Sequence, residues 1–138
     1  MKRLLPIFLA AIFLSCISCK KENTVTNVNT PAPVGITLVS GNFASNAHTS
    51  TGTVKVIKEA TGKAYLTFEN FSTSNGPDLR IWLAINTSGT SYQEVGLLTA
   101  VSGNFSYELN STINYSTNNY VLIWCKDFSV LFGHAVLQ

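Results

Sequence analysis

From Val54 to Leu109 apolar and polar residues alternate almost one for one, and this alternation constrains the fold more than any other feature. Val54 and Val56 flank Lys55, and Leu66 and Phe68 flank Thr67. Leu79, Ile81, Leu83 and Ile85 alternate with Arg80, Trp82 and Ala84, and Phe105, Tyr107 and Leu109 with Ser106 and Glu108. A period of two puts successive side chains on opposite faces of a strand, so one face goes to a core and the other to solvent. Turn chemistry separates the runs at Thr61-Gly62, Asn75-Gly76-Pro77, Ser88-Gly89 and Ser102-Gly103-Asn104. About eight short strands at this spacing predict an all-β fold, an antiparallel sandwich or flattened barrel.

The closing segment reads differently. Tyr120 to Cys125 is apolar at almost every position, which predicts a strand buried on both faces. Phe128 to Leu137 is expected to return as the last strand across an Asp127-Phe128 turn, with Gly133 at a bulge or close approach.

The N-terminus carries an address. Lys2 and Arg3 precede the apolar stretch Leu4 to Leu14, which has the length of a signal-peptide core and is too short to span a membrane. Ser18-Cys19 after that stretch resembles a bacterial lipobox, as does Ser15-Cys16. Cys19 is the expected lipidated residue, because hydrophobicity ends at Ile17, with Cys16 as the alternative. The expected organisation is a lipoprotein signal peptide over 1–18, a flexible tether over 19–33 and a folded domain over 34–138. Lys20 after Cys19 is not the Asp associated with inner-membrane retention, so the expected address is the cell envelope, at the outer membrane. The attached acyl chains would hold the protein to the bilayer.

Charge excludes one partner class. The chain carries +2, and loss of Lys2 and Arg3 with a leader leaves seven basic and seven acidic residues. No Lys/Arg cluster follows Lys20-Lys21, and nucleic-acid binding needs one.

Candidate site residues are few. Cys125 is the one cysteine beyond the leader region, and His48 and His134 are the histidines. A lone cysteine in an exported chain is either a buried core residue or a reactive group, and the sequence leaves both open. As a core residue it would pack under Trp124 and Phe128. As a reactive group it could ligate a haem or metal with His48 or His134, or act as a redox thiol. Lys126 is adjacent, but its neighbouring position in a strand points it to the other face. Asp78 after Gly76-Pro77 is expected to cap a turn. Tyr65, Trp82, Tyr92 and Tyr115 offer a candidate exposed aromatic platform for carbohydrate, with Trp82 on the solvent side of its strand. Five Asn-x-Ser/Thr triplets, beginning at Asn70, Asn86, Asn104, Asn110 and Asn114, read beside a bacterial lipobox as the polar composition of exposed strands and loops.

One ordered set of residues resembles a known family. Gly41-Asn42-Phe43, His48, Gly52-Thr53-Val54, Asn70-Phe71, Gly76-Pro77-Asp78-Leu79, Val95-Gly96-Leu97-Leu98, and then Trp124-Cys125 with Phe128, Phe132 and Gly133 are similar to the electron-transfer DM-thirteen domain. The likeness runs from about Thr37 to Leu137, essentially the whole folded part. It implies a redox or electron-transfer accessory role, with Cys125 as the working residue, either a bare thiol or a ligand to a group such as haem. It further implies a separate redox partner protein, since the chain has no room for a second domain. A non-catalytic surface interaction or carbohydrate-binding module, with Cys125 only a core residue, is the alternative.

Overall fold

The computed structural model describes residues 28–29 and 32–138. The leader, Cys16 and Cys19, and most of the tether lie outside the described residues. In chain order the strands are β1 (Val28–Asn29), β2 (Gly35–Asn42), β3 (Ala44–Ser45), β4 (Ser50–Glu59), β5 (Ala64–Thr73), β6 (Leu79–Ala84), β7 (Tyr92–Leu97), β8 (Ser102–Leu109), β9 (Tyr120–Cys125) and β10 (Val130–Val136). Two of the tether residues therefore form a short strand. There is no helix among the described residues.

The strands form two sheets stacked as a sandwich and not closed into a barrel. The first has the order β1-β8-β5-β4-β2, the second β3-β10-β9-β6-β7. All pairings are antiparallel except the short β1–β8 contact. Long-range hairpins and crossovers set this topology: β5 pairs β8, and β6 pairs β9.

The alternation explains the core. Val54 and Val56 of β4, Leu66 and Phe68 of β5 and Phe105 of β8 point inward from the first sheet. They meet Leu79, Ile81 and Leu83 of β6 and Val121, Ile123 and Cys125 of β9 from the second. Phe68 is the hub: its ring stacks on Phe105 at 4.8 Å and on Phe43 at 5.7 Å, and meets Phe71 edge-on at 5.2 Å. Offset and edge-to-face contacts of this kind add about 1 kcal/mol each beyond area burial.

β9 is buried on both sides, as its apolar run predicts. Its inward residues join the main core, while Leu122 joins Trp82 and Ala84 in a second cluster on the outer side of the sheet. The last strand begins at Val130, later than expected: Lys126 to Ser129 form the turn, and Phe128 is 70% exposed. The register slips between Leu131 and Gly133. There a side chain would collide with Ser50, whose Cβ and Oγ would lie 2.3 Å from an added Cβ, so β4 crosses β10 closely because residue 133 is glycine.

Candidate functional site

Two neighbouring regions collect the chemistry-bearing residues, one at an end of the sandwich and one on the outer face of the second sheet. β9 links them, since Trp124 and Cys125 are consecutive and point to opposite faces.

At the end of the sandwich, Cys125 is fully buried. Across the sheet it stands opposite Val130 of β10 and opposite Leu79 of β6. Directly opposed residues share a face, so Val130, Cys125 and Leu79 form one inward row. A hollow of about 300 Å³ opens beside this row, lined by His48, Asn75, Gly76, Pro77, Phe128, Val130 and Phe132. Gly76 is pressed against the walls: a Cβ there would lie 2.9 Å from Leu79 Cδ2 and 3.1 Å from Phe132 Cζ. The His48 ring lies 3.8 Å, centroid to centroid, from that of Phe132, and its backbone N–H donates to the Phe132 carbonyl at 3.2 Å. The turn that ends β9 is tied down by the Lys126 N–H, which donates to the Asp78 carbonyl at 2.9 Å.

The packing of Cys125 differs from expectation. It does not sit under Trp124 and Phe128: Trp124 belongs to the outer cluster, and Phe128 projects from the turn at the mouth of the hollow. Strand alternation separates Trp124 from Cys125, so the cysteine is enclosed by the core instead. Lys126 gives the sulfur no cation, because its Nζ lies 4.0 Å from Glu94 Oε2 on the outer side.

The histidines divide. His48 belongs to the hollow. His134 does not join Cys125: it stands opposite Leu122, stacks near Tyr120 at 6.1 Å, and its Nδ1 lies 2.7 Å from Asn46 Oδ1. Leu122 and Tyr120 belong to the outer cluster, so His134 and Cys125 face opposite ways. The described residues hold no group of three or more His, Cys, Asp or Glu able to bind a metal ion. A haem ligand needs an open approach to its donor atom. Cys125 has no exposed surface, His134 is on the other face, and the His48 ring is engaged with Phe132. The residues present do not fit a haem.

On the outer face, three rings stand in a row across three strands. Tyr92 of β7 stacks on Trp82 of β6 with centroids 3.6 Å apart and planes 8° from parallel. Trp82 stacks in turn on Trp124 of β9 at 4.9 Å and 19°. Trp82 is only 4% exposed, which corrects the exposed-platform expectation: both its ring faces are covered by neighbours on the flanking strands. Tyr65 lies on the first sheet and Tyr115 in the β8–β9 connection, packed on the core, so the four aromatics do not share one surface. Gly89 closes over the stack. Its φ of +69° is in the left-handed region, and a Cβ there would lie 2.6 Å from Trp124 Cη2.

The indole of Trp82 has a charged partner. Its Nε1–H donates to Glu94 Oε2 at 3.2 Å, and Arg80 Nη1 donates to Glu94 Oε1 at 3.0 Å. Arg80 Nε donates to Asp78 Oδ1, and this hydrogen bond holds the guanidinium above its ordinary value. Asp78 thus sits in the Pro77-Asp78 turn as expected, and its side chain also anchors Arg80. Arg80, Glu94 and Trp124 escaped the sequence reading as site residues. Their signal was the strand register, which opposes Trp82 to Glu94 and Arg80 to Trp124.

The sequence model of the electron transfer DM13 family matches residues 42–137. The chain belongs to the electron transfer DM13 family. The match covers β3 to β10, and so both regions of this DM13 domain. No curated protein and no solved structure matches the chain. Of the residues that carry the likeness, His48, Gly76-Pro77, Phe128 and Phe132 line the hollow and Leu79 and Cys125 stand in the row beside it, whereas Phe43, Val54 and Phe71 lie in the main core and Trp124 on the outer face.

Proposed function

We propose that this DM13 domain is a lipid-anchored accessory of electron transfer in the bacterial cell envelope, working with a separate redox partner protein, with Cys125 as its redox-active residue. One observation carries the reading. Residues scattered from His48 to Phe132, all part of the DM13 likeness, converge on a single hollow whose wall residue Val130 stands directly opposite Cys125. A hollow beside the thiol's row is what a working centre requires, since a reactant has to reach the sulfur. For the thiol to react, the turn at Lys126 to Ser129 has to move, lifting Phe128 from the hollow and loosening Val130, the first residue of β10.

Thiol labelling of the folded, leader-free domain tests this reading, with a visible spectrum recorded before and after haem is added. Labelling without denaturant, lost in Cys125→Ser, supports the redox thiol. A spectral shift on adding haem, lost in the same variant, would revive haem ligation.

A second reading has its own observation. Cys125 is 0% exposed and has no cation beside it, and a thiol needs such a partner, a helix N-terminus or a metal to become a ready thiolate. On that reading the domain is a non-catalytic surface interaction module and Cys125 is core. Labelling only after denaturation, with no spectral change, would select it. Its carbohydrate-binding form is weakened by the covered faces of Trp82.

A further inference from the structure

We propose that Tyr92, Trp82 and Trp124 form a one-electron relay across the outer face of the second sheet, with Glu94 as the proton acceptor for Trp82. The proposal rests on the electron-transfer reading of the domain but needs nothing from Cys125.

Three observations carry it. The rings stand in series, with centroid spacings of 3.6 and 4.9 Å, so their π systems are in contact across three strands. The series has an outside end: Tyr92 is 42% exposed on β7, an edge strand of its sheet. The middle ring is 4% exposed and donates its N–H to a carboxylate. A buried indole needs a hydrogen-bond acceptor, but a backbone carbonyl or an amide would satisfy it as well. A carboxylate is also a base. Arg80 holds the other carboxylate oxygen at 3.0 Å, and Lys126 stands 4.0 Å from the oxygen that accepts from Trp82.

A high-potential one-electron oxidant docked at Tyr92 takes one electron from the stack and is itself reduced by one. Trp82 loses that electron, and its Nε1 proton passes along the existing hydrogen bond to Glu94. The products are a neutral tryptophanyl radical and a carboxylic acid. A reduced one-electron carrier at the Trp124 end returns one electron through that ring, and Glu94 gives the proton back. The cover of Tyr92 and Trp124 keeps solvent from the radical while it exists.

Flash photolysis with a ruthenium polypyridyl photo-oxidant and an electron-accepting quencher tests the relay in the folded protein. The chain has two tryptophans, so Trp124→Phe isolates Trp82. The expected result is a neutral tryptophanyl transient in the native chain and in Cys125→Ser; in Trp124→Phe it should still form on Trp82 but decay several-fold more slowly, because the return path through residue 124 is cut. It should be lost in Trp82→Phe and replaced by the protonated cation radical in Glu94→Gln. Tyr92→Leu, a change at a half-exposed position, should slow its appearance several-fold. A transient of unchanged yield in Trp82→Phe, or a neutral radical persisting in Glu94→Gln, overturns the proposal. Loss of the transient in Cys125→Ser alone would also overturn it, by placing the active atom at the thiol. Thiol labelling that fails while the transient survives would remove the Cys125 reading and leave the relay standing.

Discussion

The two outer faces of the sandwich are built from the same period-two pattern and end up chemically unlike. On the first sheet the solvent side is a ladder of charges and hydroxyls. Lys55 pairs with Glu69 at 2.7 Å, Lys63 with Glu108 at 3.0 Å, and the Thr67 and Ser106 hydroxyls lie 3.0 Å apart. On the second sheet the same side carries Trp82, Ala84 and Leu122, buried under Tyr92, Tyr120, Trp124 and Leu131. An antiparallel sandwich needs only one apolar face per sheet. The first sheet stays close to that minimum, burying Ile57 and Thr67 on its outer side among charged and hydroxyl neighbours. The second adds an apolar layer with no third layer of strands or helices above it among the described residues, and the pairing of the two sheets does not require this. The aromatic face is therefore where a function beyond folding is to be sought.

The largest test of the contrast is truncation on each face. Trp82→Ala should cost about 3 kcal/mol, at the lower end for large aromatic deletions because Tyr92 and the loop bearing Gly89 can close part of the gap. Thr67→Ala should cost about 1 kcal/mol, the worth of one hydroxyl pair. Urea unfolding of the two variants measures both. A Trp82 cost as small as that of Thr67 would mean that the outer layer contributes nothing to the fold.

Cys125→Ser comes next, at about 1–2 kcal/mol, because a hydroxyl would replace the thiol at a buried position with no designed partner. Cys125→Ala should cost less than Cys125→Ser if desolvation of the hydroxyl dominates, and more if the small cavity does. Neither should alter near-ultraviolet circular dichroism from the Trp82–Trp124 pair, which lies on the other side of the sheet. A change in that signal would show that the two faces are coupled through β9.

Much of this was legible in the sequence. The alternation placed β4, β5, β6 and β8, the apolar run at Tyr120 marked the strand buried on both sides, and Gly133 marked the bulge, while β2 and β7, the edge strand that carries Tyr92, went unplaced. The site was harder to read, for a physical reason. Alternation tells which face a side chain takes, but not what stands on the neighbouring strands. Trp82 was correctly placed on the outer side and wrongly expected to be exposed, because Tyr92 and Trp124 cover it only once β7 and β9 flank β6. His48 meets Phe132 only through the crossover that brings the segment after β3 under β10. His134 was expected to share a site with Cys125 after a simple turn, but strand parity puts the two on opposite faces.

A smaller effect is expected at Gly89, whose substitution by Ala should cost about 1 kcal/mol for a left-handed backbone carrying a Cβ. The more telling readout is spectroscopic. The new methyl would meet the edge of Trp124, so the ring must shift and the coupled indole signal should weaken while the core stays folded. A weakened signal without loss of stability would show that the loop positions the stack rather than holding the fold together.

The smallest effect separates the faces by pH. Lys63 is raised above its ordinary value of 10.5, first by the hydrogen bond from its ammonium to Glu108 and then by that carboxylate's charge. A raised folded value means the stabilisation is fully present below 10.5 and is lost as the pH climbs through the higher folded value. The pair is solvent-exposed, so the loss should be slight and should shrink further in high salt. Comparing thermal unfolding of the native chain and Glu108→Gln on either side of that pH measures it: the difference between them should narrow at the alkaline end. Its counterpart on the aromatic face should not respond. Arg80 is held charged above its ordinary value by Asp78, so the Arg80–Glu94 bridge stays intact across the same range. A difference between the native chain and Glu94→Gln that narrows in the same way would mean that Lys126, rather than Arg80, supplies the charge that holds the carboxylate under Trp82.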